Sequence, residues 1–249
     1  MADEAHFARS AHHALYTYRP DDSASIHVLS GLLPWCWPQI TDWPRIFDSR
    51  PQGRLDAERR LLRLSGFYSM KARSYQEEAV RAALEAPLGR GCISVGCGGG
   101  KTRIAFLIAA VTECKWLYVV HGVDLIKQAR QDFAEMGQEI EGWSSDRLEV
   151  MTWHSFTEYM HEYSASSGGS EYQGLIVDEC HQAGALERSK ALMAYRGLWR
   201  IGLSGTPHER LEGNDVVIGL LGDVVYEMGL KDLADEGYVS KGRVIVVDF

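Results

Sequence analysis

The sequence predicts an α/β domain built on a mostly parallel sheet, and three features carry that prediction. Five brief apolar runs fall between residues 92 and 204: "CISV" from Cys92, "WLYVVH" from Trp116, "RLEVMT" from Arg147, "GLIVD" from Gly174 and "WRIGLS" from Trp199. Helix-like stretches such as "KTRIAFLIAAVTE" and "DLIKQARQDFAEM" separate several of them. A glycine-rich turn, "GCGGG", joins the first run to the first of those helices. Runs that stay apolar throughout, rather than alternating, are what strands covered by helices on both faces require.

The 249 residues suffice for one large domain, or one domain with a small appendage. Residues 1–66 read as that appendage, an accessory region rich in tryptophan and proline. In "LLPWCWPQITDWP", Trp35, Trp37 and Trp43 are interleaved with Pro34, Pro38 and Pro44, and the prolines bar a regular helix or a central strand. The tryptophans are read as packing a small module; the alternative is an aromatic platform for a single nucleic-acid strand. "RLDAERRLLRL" from Arg54 follows as a helix with a solvated charged face. From Phe67 to Phe249 the α/β alternation takes over, with "SASSGGSEYQG" (Ser164 to Gly174) as a surface loop.

Composition narrows the class. With 45% hydrophobic and 24% charged residues and no long apolar run, the chain predicts no membrane span. The charged start "MADEAHFAR" is not a signal peptide, so a cytoplasmic setting is the default expectation. The cysteines Cys36, Cys92, Cys97, Cys114 and Cys180 form no CxxC pair and no cluster at zinc spacing, which predicts ordinary thiols. A formal charge of −8 argues against a surface that grips phosphates everywhere, while leaving room for a local basic track.

The strand "CISV", the loop "GCGGG" and the helix beginning at Lys101 make a phosphate cradle. Gly96, Gly98, Gly99 and Gly100, with Cys97 among them, let the backbone turn sharply and bring its N–H groups against an anion. The helix start adds its positive dipole end. Lys101 then reaches the β- and γ-phosphates, and the Thr102 hydroxyl takes Mg²⁺. Val95 stands where the full GxxxxGK[ST] pattern has its first glycine, so the strand-loop-helix context carries the assignment. The expected ligand is ATP or another nucleoside triphosphate.

Nucleoside-triphosphate hydrolysis also needs a carboxylate at the carboxyl end of a neighbouring buried strand. "LIVDECH" supplies it: Leu175, Ile176 and Val177 form the strand, and Asp178 emerges at its edge as a candidate Mg²⁺ ligand. Glu179 beside it is placed to polarise the attacking water as a general base. A second, similar tetrapeptide, "DEAH" at Asp3-Glu4-Ala5-His6, has only Met-Ala before it. With no strand to aim it, it is read as part of an acidic tail or helix start.

"GCGGGKT", "DECH" and "LSGTP" (Leu203 to Pro207), in this order, resemble motifs I, II and III of superfamily 2 helicases and translocases, and "RSYQEEAV" (Arg73 to Val80) is similar to their adenine-reading Q-type element. The resemblance covers Phe67 to Phe249 and implies a RecA-like lobe that binds ATP and Mg²⁺. It implies that Gln76 reads adenine by donating and accepting at once, with Arg73 supporting the base or stacking beside it. It implies a coupling role for His181, Ser204 and Thr206 between the metal site and the nucleic-acid side. "VVHGVDLIKQ" (Val119 to Gln128) and "VMTWHSF" (Val150 to Phe156) resemble the elements that hold one strand by its backbone. His121, Gly122, Thr152, His154 and Ser155 are the contact candidates, although His121-Gly122-Val123 stands where many relatives have a Pro-Thr-Arg type of stretch. Trp153 is read equally as core.

The tail "LGDVVYEMGLKDLADEGYVSKGRVIVVDF" is similar to the end of the first motor lobe in phage branch-migration helicases and xeroderma-type repair translocases. This implies DNA as the partner, with RNA left open, and a bacterial or phage-infected cell. Such motors hydrolyse ATP between two lobes, the second giving an arginine worth about 10³ to 10⁵ in rate. No second lobe is expected within these 249 residues. One reading is an ATPase lobe of a helicase or translocase completed in cis or by another chain. The other is a stand-alone module that binds nucleotide and nucleic acid with little hydrolysis.

Overall fold

The computed structural model describes residues 72–86, 89–112, 114–164, 171–205 and 214–240, together with two short strands at 16–18 and 26–28. Those two, β1 (Tyr16–Tyr18) and β2 (Ile26–Val28), pair antiparallel. The tryptophan-proline stretch, the Arg54 segment and the DEAH tetrapeptide lie outside the described residues.

The main body is a six-stranded sheet in the order β5-β4-β6-β7-β3-β8, with every neighbouring pair parallel. Its strands are β3 (Arg90–Val95), β4 (Trp116–Val120), β5 (Leu148–Thr152), β6 (Gly174–Asp178), β7 (Trp199–Ser204) and β8 (Val224–Met228). The first five coincide with the five apolar runs of the sequence. Burial separates the inner strands from the edges: β3, β4 and β7 are buried at every residue, whereas edge strand β5 alternates between buried and half-buried. Only a strand with helices on both faces and strands on both sides has no wet position to offer a polar side chain.

Helices cover both faces. α1 (Ser74–Leu84), α2 (Lys101–Val111) and α3 (Val123–Gly137) pack on one, joining Tyr118, Val120, Ile176 and Ile201 in a common core. α4 (Trp153–Ser164), α5 (Leu186–Ala194) and α6 (Asn214–Leu221) pack on the other with Leu117, Val119, Leu175 and Val177. Successive residues of β4 and β6 thus feed opposite cores, the two-residue period of a strand. A short α7 (Leu230–Asp235) ends the described body.

Large aromatic side chains fix the register of the central strands. Trp116 stacks on Trp199 at 5.5 Å and donates from Nε1 to the Thr112 hydroxyl at 2.6 Å. The Trp116 ring lies over Gly174, where any Cβ would collide with it, so the start of β6 has room for no side chain. Among the described residues no helix is long and apolar enough to cross a membrane.

Candidate nucleotide and metal site

The strand order creates the site. β7 lies between β3 and β6, so the loop after β3 and the carboxylates after β6 face each other across one strand, roughly 10 Å apart at the sheet edge. The end of β7, at Ser204, sits between them.

On the β3 side, the chain leaves Val95 and enters α2 at Lys101 through the glycine loop. Gly98 and Gly100 have φ of 80° and 75°, in the left-handed region where a Cβ is strained. Gly99 is needed for a different reason, since a Cβ there would run into Val95 Cγ1. α2 begins with no side-chain cap and no acidic residue in its first turn. Its first N–H groups and dipole are therefore left to an anion.

On the β6 side, Asp178 is the last strand residue and Glu179 turns the chain with φ 47° and ψ 53°. Glu179 is the one non-glycine residue with positive φ among the described residues, and a short 3₁₀ turn, Cys180–Gly184, follows it. That turn aims the carboxylate back across the sheet edge. Glu179 Oε1 lies 3.6 Å from Lys101 Nζ, and its Oε2 lies 3.4 Å from His181 Nδ1. His181 Nδ1 is in turn 3.2 Å from Ser204 Oγ. A polar chain thus runs Lys101, Glu179, His181, Ser204 over the ends of three strands. Thr206, proposed with Ser204, lies outside the described residues.

Asp178 is set apart from this chain. Its Oδ1 is buried without a hydrogen-bond partner. Burial pushes its carboxyl above the ordinary carboxylate range, the neighbouring Glu179 charge adds to that, and the Tyr118 hydroxyl and Lys101 oppose it. The phenol of Tyr118, from β4, borders both Asp178 and Thr102; burial, and then the charge of Asp178, raises it well above the usual tyrosine value. An orphaned carboxylate oxygen and a threonine hydroxyl, both bordering the Tyr118 phenol, are hard-oxygen donors of the kind that fits Mg²⁺, which takes one or two protein oxygens and completes its shell elsewhere. The residues present therefore suit the expected metal, which Asp178 and Thr102 would hold.

The Q-type element lies against the same loop. Gln76 is buried, its Oε1 accepts the Arg73 N–H at 3.1 Å, and its Nε2 is close to the Tyr75 hydroxyl at 3.5 Å. A Cβ on Gly100 would stand 2.8 Å from that same Nε2. As placed, the amide closes the start of α1 and faces the loop. Tyr75 donates its hydroxyl to Gly99 O at 2.6 Å. Arg73 is exposed, with its guanidinium over the Tyr238 ring.

The strand-contact candidates sit at the ends of β4 and β5. His121, His154 and Ser155 are exposed and Gly122 is half-buried. Thr152 is buried, and its hydroxyl accepts the Ser155 N–H at 3.1 Å, a helix-capping role at the start of α4. His154 lies 3.4 Å from Glu158 one turn on. Trp153 is buried in the core beneath the Arg188 guanidinium.

Sequence reasoning missed Tyr118, Tyr75 and Tyr238. Tyr118 had a signal: a tyrosine inside the apolar run "WLYVV" must find a partner for its hydroxyl.

Known proteins resemble this chain over most of its length. A family model described as Type III restriction enzyme, res subunit (ResIII), matches residues 69–209. The DNA 3'-5' translocase XPB2 of Sulfurisphaera tokodaii is 31% identical over 180 residues, which cover 70% of this chain and 39% of that protein. The Type I restriction enzyme EcoAI endonuclease subunit of Escherichia coli is 26% identical over 200 residues, covering 71% of this chain and 24% of that one. The chain thus spans less than half the length of these curated relatives. Among solved structures, the UvsW helicase from bacteriophage T4 shares the fold, with a TM-score of 0.53 at 21% identity over 84% of this chain and 82% of that one. Since the matched family covers more than half of it, the chain belongs to the ResIII family, and its described α/β body is a first RecA-like lobe of the superfamily 2 helicase type.

Proposed function

We propose that residues 67–249 form the ATP-binding lobe of a DNA-dependent ATPase, a helicase or translocase, completed by a second RecA-like lobe in cis or on another chain. The observation that carries this is the convergence, across β7, of Lys101, Glu179 and the orphaned Asp178. A nucleotide scaffold needs the cradle and one metal-ligating carboxylate; a second carboxylate beside them serves hydrolysis. The XPB2 relative is a DNA translocase, which supports DNA as the partner.

In this reading the loop N–H groups and Lys101 hold the β- and γ-phosphates. Lys101 exchanges its contact with Glu179 for the γ-phosphate, which frees the Glu179 carboxylate to take the proton of the attacking water. Asp178 and Thr102 would hold Mg²⁺, whose charge would offset that of the phosphates. His181 and Ser204 connect Glu179 to the end of β7 and so to the segment holding Thr206. His121, Gly122, His154 and Ser155 face the nucleic-acid backbone, and residues 1–66 form an accessory region.

The test is ATP turnover with and without DNA. The chain alone is expected to bind ATP with Mg²⁺ and turn it over slowly, and Lys101→Ala to lose binding and turnover together. Wild-type ATP affinity in that variant would remove the cradle assignment. Fast DNA-stimulated turnover by a verified monomer would remove the need for a second lobe.

A further inference from the structure

Tyr238 belongs to none of the motifs, yet it joins the ends of the nucleotide site. It follows the last turn of α7, where Gly237 is left-handed at φ 77° and the Tyr238 N–H bonds Leu233 O at 2.8 Å. This end-of-helix closure fixes the backbone that carries the ring. The ring centroid lies 4.8 Å from that of Tyr75 at an interplanar angle of 56°, and the Arg73 guanidinium lies over its face at 5.0 Å. Its hydroxyl is 3.4 Å from Ser74 Oγ. Tyr75 reaches on to Gly99 O. The surrounding segment also rests on the loop: a Cβ on Gly96 would stand 2.8 Å from Leu230 N, one on Gly99 2.9 Å from Leu233 Cδ1, and one on Gly98 3.2 Å from Val239 Cγ1.

These contacts put two kinds of group within one helical turn. The Gln76 amide faces the loop, while the Arg73 guanidinium lies over a half-buried ring with its own side chain exposed. A flat cation on an aromatic ring is a surface on which a planar, electron-rich heterocycle stacks. A free arginine side chain would sample many orientations; the ring removes that freedom before a ligand arrives.

We propose that Tyr238 is a positioning residue for the nucleotide base: it holds the Arg73 guanidinium over its ring, and the purine stacks on that layer while the triphosphate lies in the loop. This rests on the reading of the site as an ATP site with Arg73 beside the base, and adds to it a support for Arg73 drawn from the far end of the lobe.

The experiment measures binding of ATP with Mg²⁺ and of inorganic tripolyphosphate with Mg²⁺ to the full chain by titration calorimetry. Tyr238→Ala is expected to weaken ATP about tenfold, the worth of one stacked contact, and to leave tripolyphosphate within about twofold. Tyr238→Phe, which keeps the ring, is expected to restore the ATP affinity that Tyr238→Ala loses. Arg73→Ala, at an exposed position, should reproduce the selective loss, and Tyr238→Ala added to it should cost nothing further. Equal loss of both ligands in Tyr238→Ala would overturn the proposal, because it would make Tyr238 a support of the loop only. Unchanged ATP affinity in Arg73→Ala would overturn it too, and that variant is informative even if Tyr238→Ala fails to fold. Wild-type protein that binds neither ligand would instead remove the ATP reading itself.

Discussion

The two sides of the site are held by different forces. The glycine loop after β3 is fixed by contact: Val95, Leu233, Val239 and the Gln76 amide leave its glycines no room for side chains, and the Tyr75 hydroxyl holds it through Gly99 O. The turn after β6 is fixed by charge and by backbone strain, with Glu179 left-handed between Lys101 and His181 and with one oxygen of the half-buried Asp178, Oδ1, unsatisfied. The first side is built before any ligand arrives. The second is poised: Glu179 is already held by Lys101 and His181, while the buried Asp178 Oδ1 has no partner of its own. A nucleotide would therefore find a rigid cradle and a responsive carboxylate edge.

The sharpest way to break this contrast is to take the chemistry from the poised side and leave the cradle alone. Glu179→Gln, in a complete motor, is expected to lower turnover by about 10² to 10⁴ while ATP binding persists, as measured by steady-state hydrolysis beside a binding titration. Next in size, Gly99→Ala should destabilise the lobe by about 1–3 kcal/mol through overpacking against Val95, read as a lowered urea midpoint. Adding Val95→Ala should recover part of that loss. If Gly99→Ala is neutral, the cradle is not held by contact.

Asp178→Asn gives a smaller effect of opposite sign. The folded-state pKa of Asp178 is raised, so the fold favours the protonated form, and stability is lost as the pH climbs from the ordinary carboxylate value through the raised one. The asparagine variant lacks that loss. Its thermal midpoint should exceed the wild type's at neutral pH, with the gap closing as the pH is lowered toward the ordinary carboxylate range. Excess Mg²⁺ should raise the wild type and not the variant. The smallest expected effect is at the other acidic tetrapeptide: Asp3→Asn should leave hydrolysis unchanged where Asp178→Asn abolishes it, and equal effects would reverse the choice between the two.

The central strands were readable because burial on both faces leaves only apolar residues at those positions, as in "WLYVV" and "GLIVD". β8 was not read as a strand: at the sheet edge "VVYEM" keeps Glu227 exposed and Val224, Val225 and Tyr226 half-buried, so it lacks the unbroken apolar signature. The loop and the carboxylates were readable as chemistry joined to local structure. Their meeting across β7 was not, because strand order is a long-range property that no spacing encodes. The partners of Tyr118 and Tyr238 were hidden for the same reason, since Tyr238 meets Ser74 across 164 positions of chain.

Glu179 has one more consequence, for anyone who engineers this chain. A left-handed residue other than glycine holds about 1 kcal/mol that a glycine would release. Screening variants for heat resistance alone would therefore favour Glu179→Gly, and would reward the protein for discarding its proposed water-activating carboxylate. Thermal tolerance and turnover should be scored together in any library that includes this position.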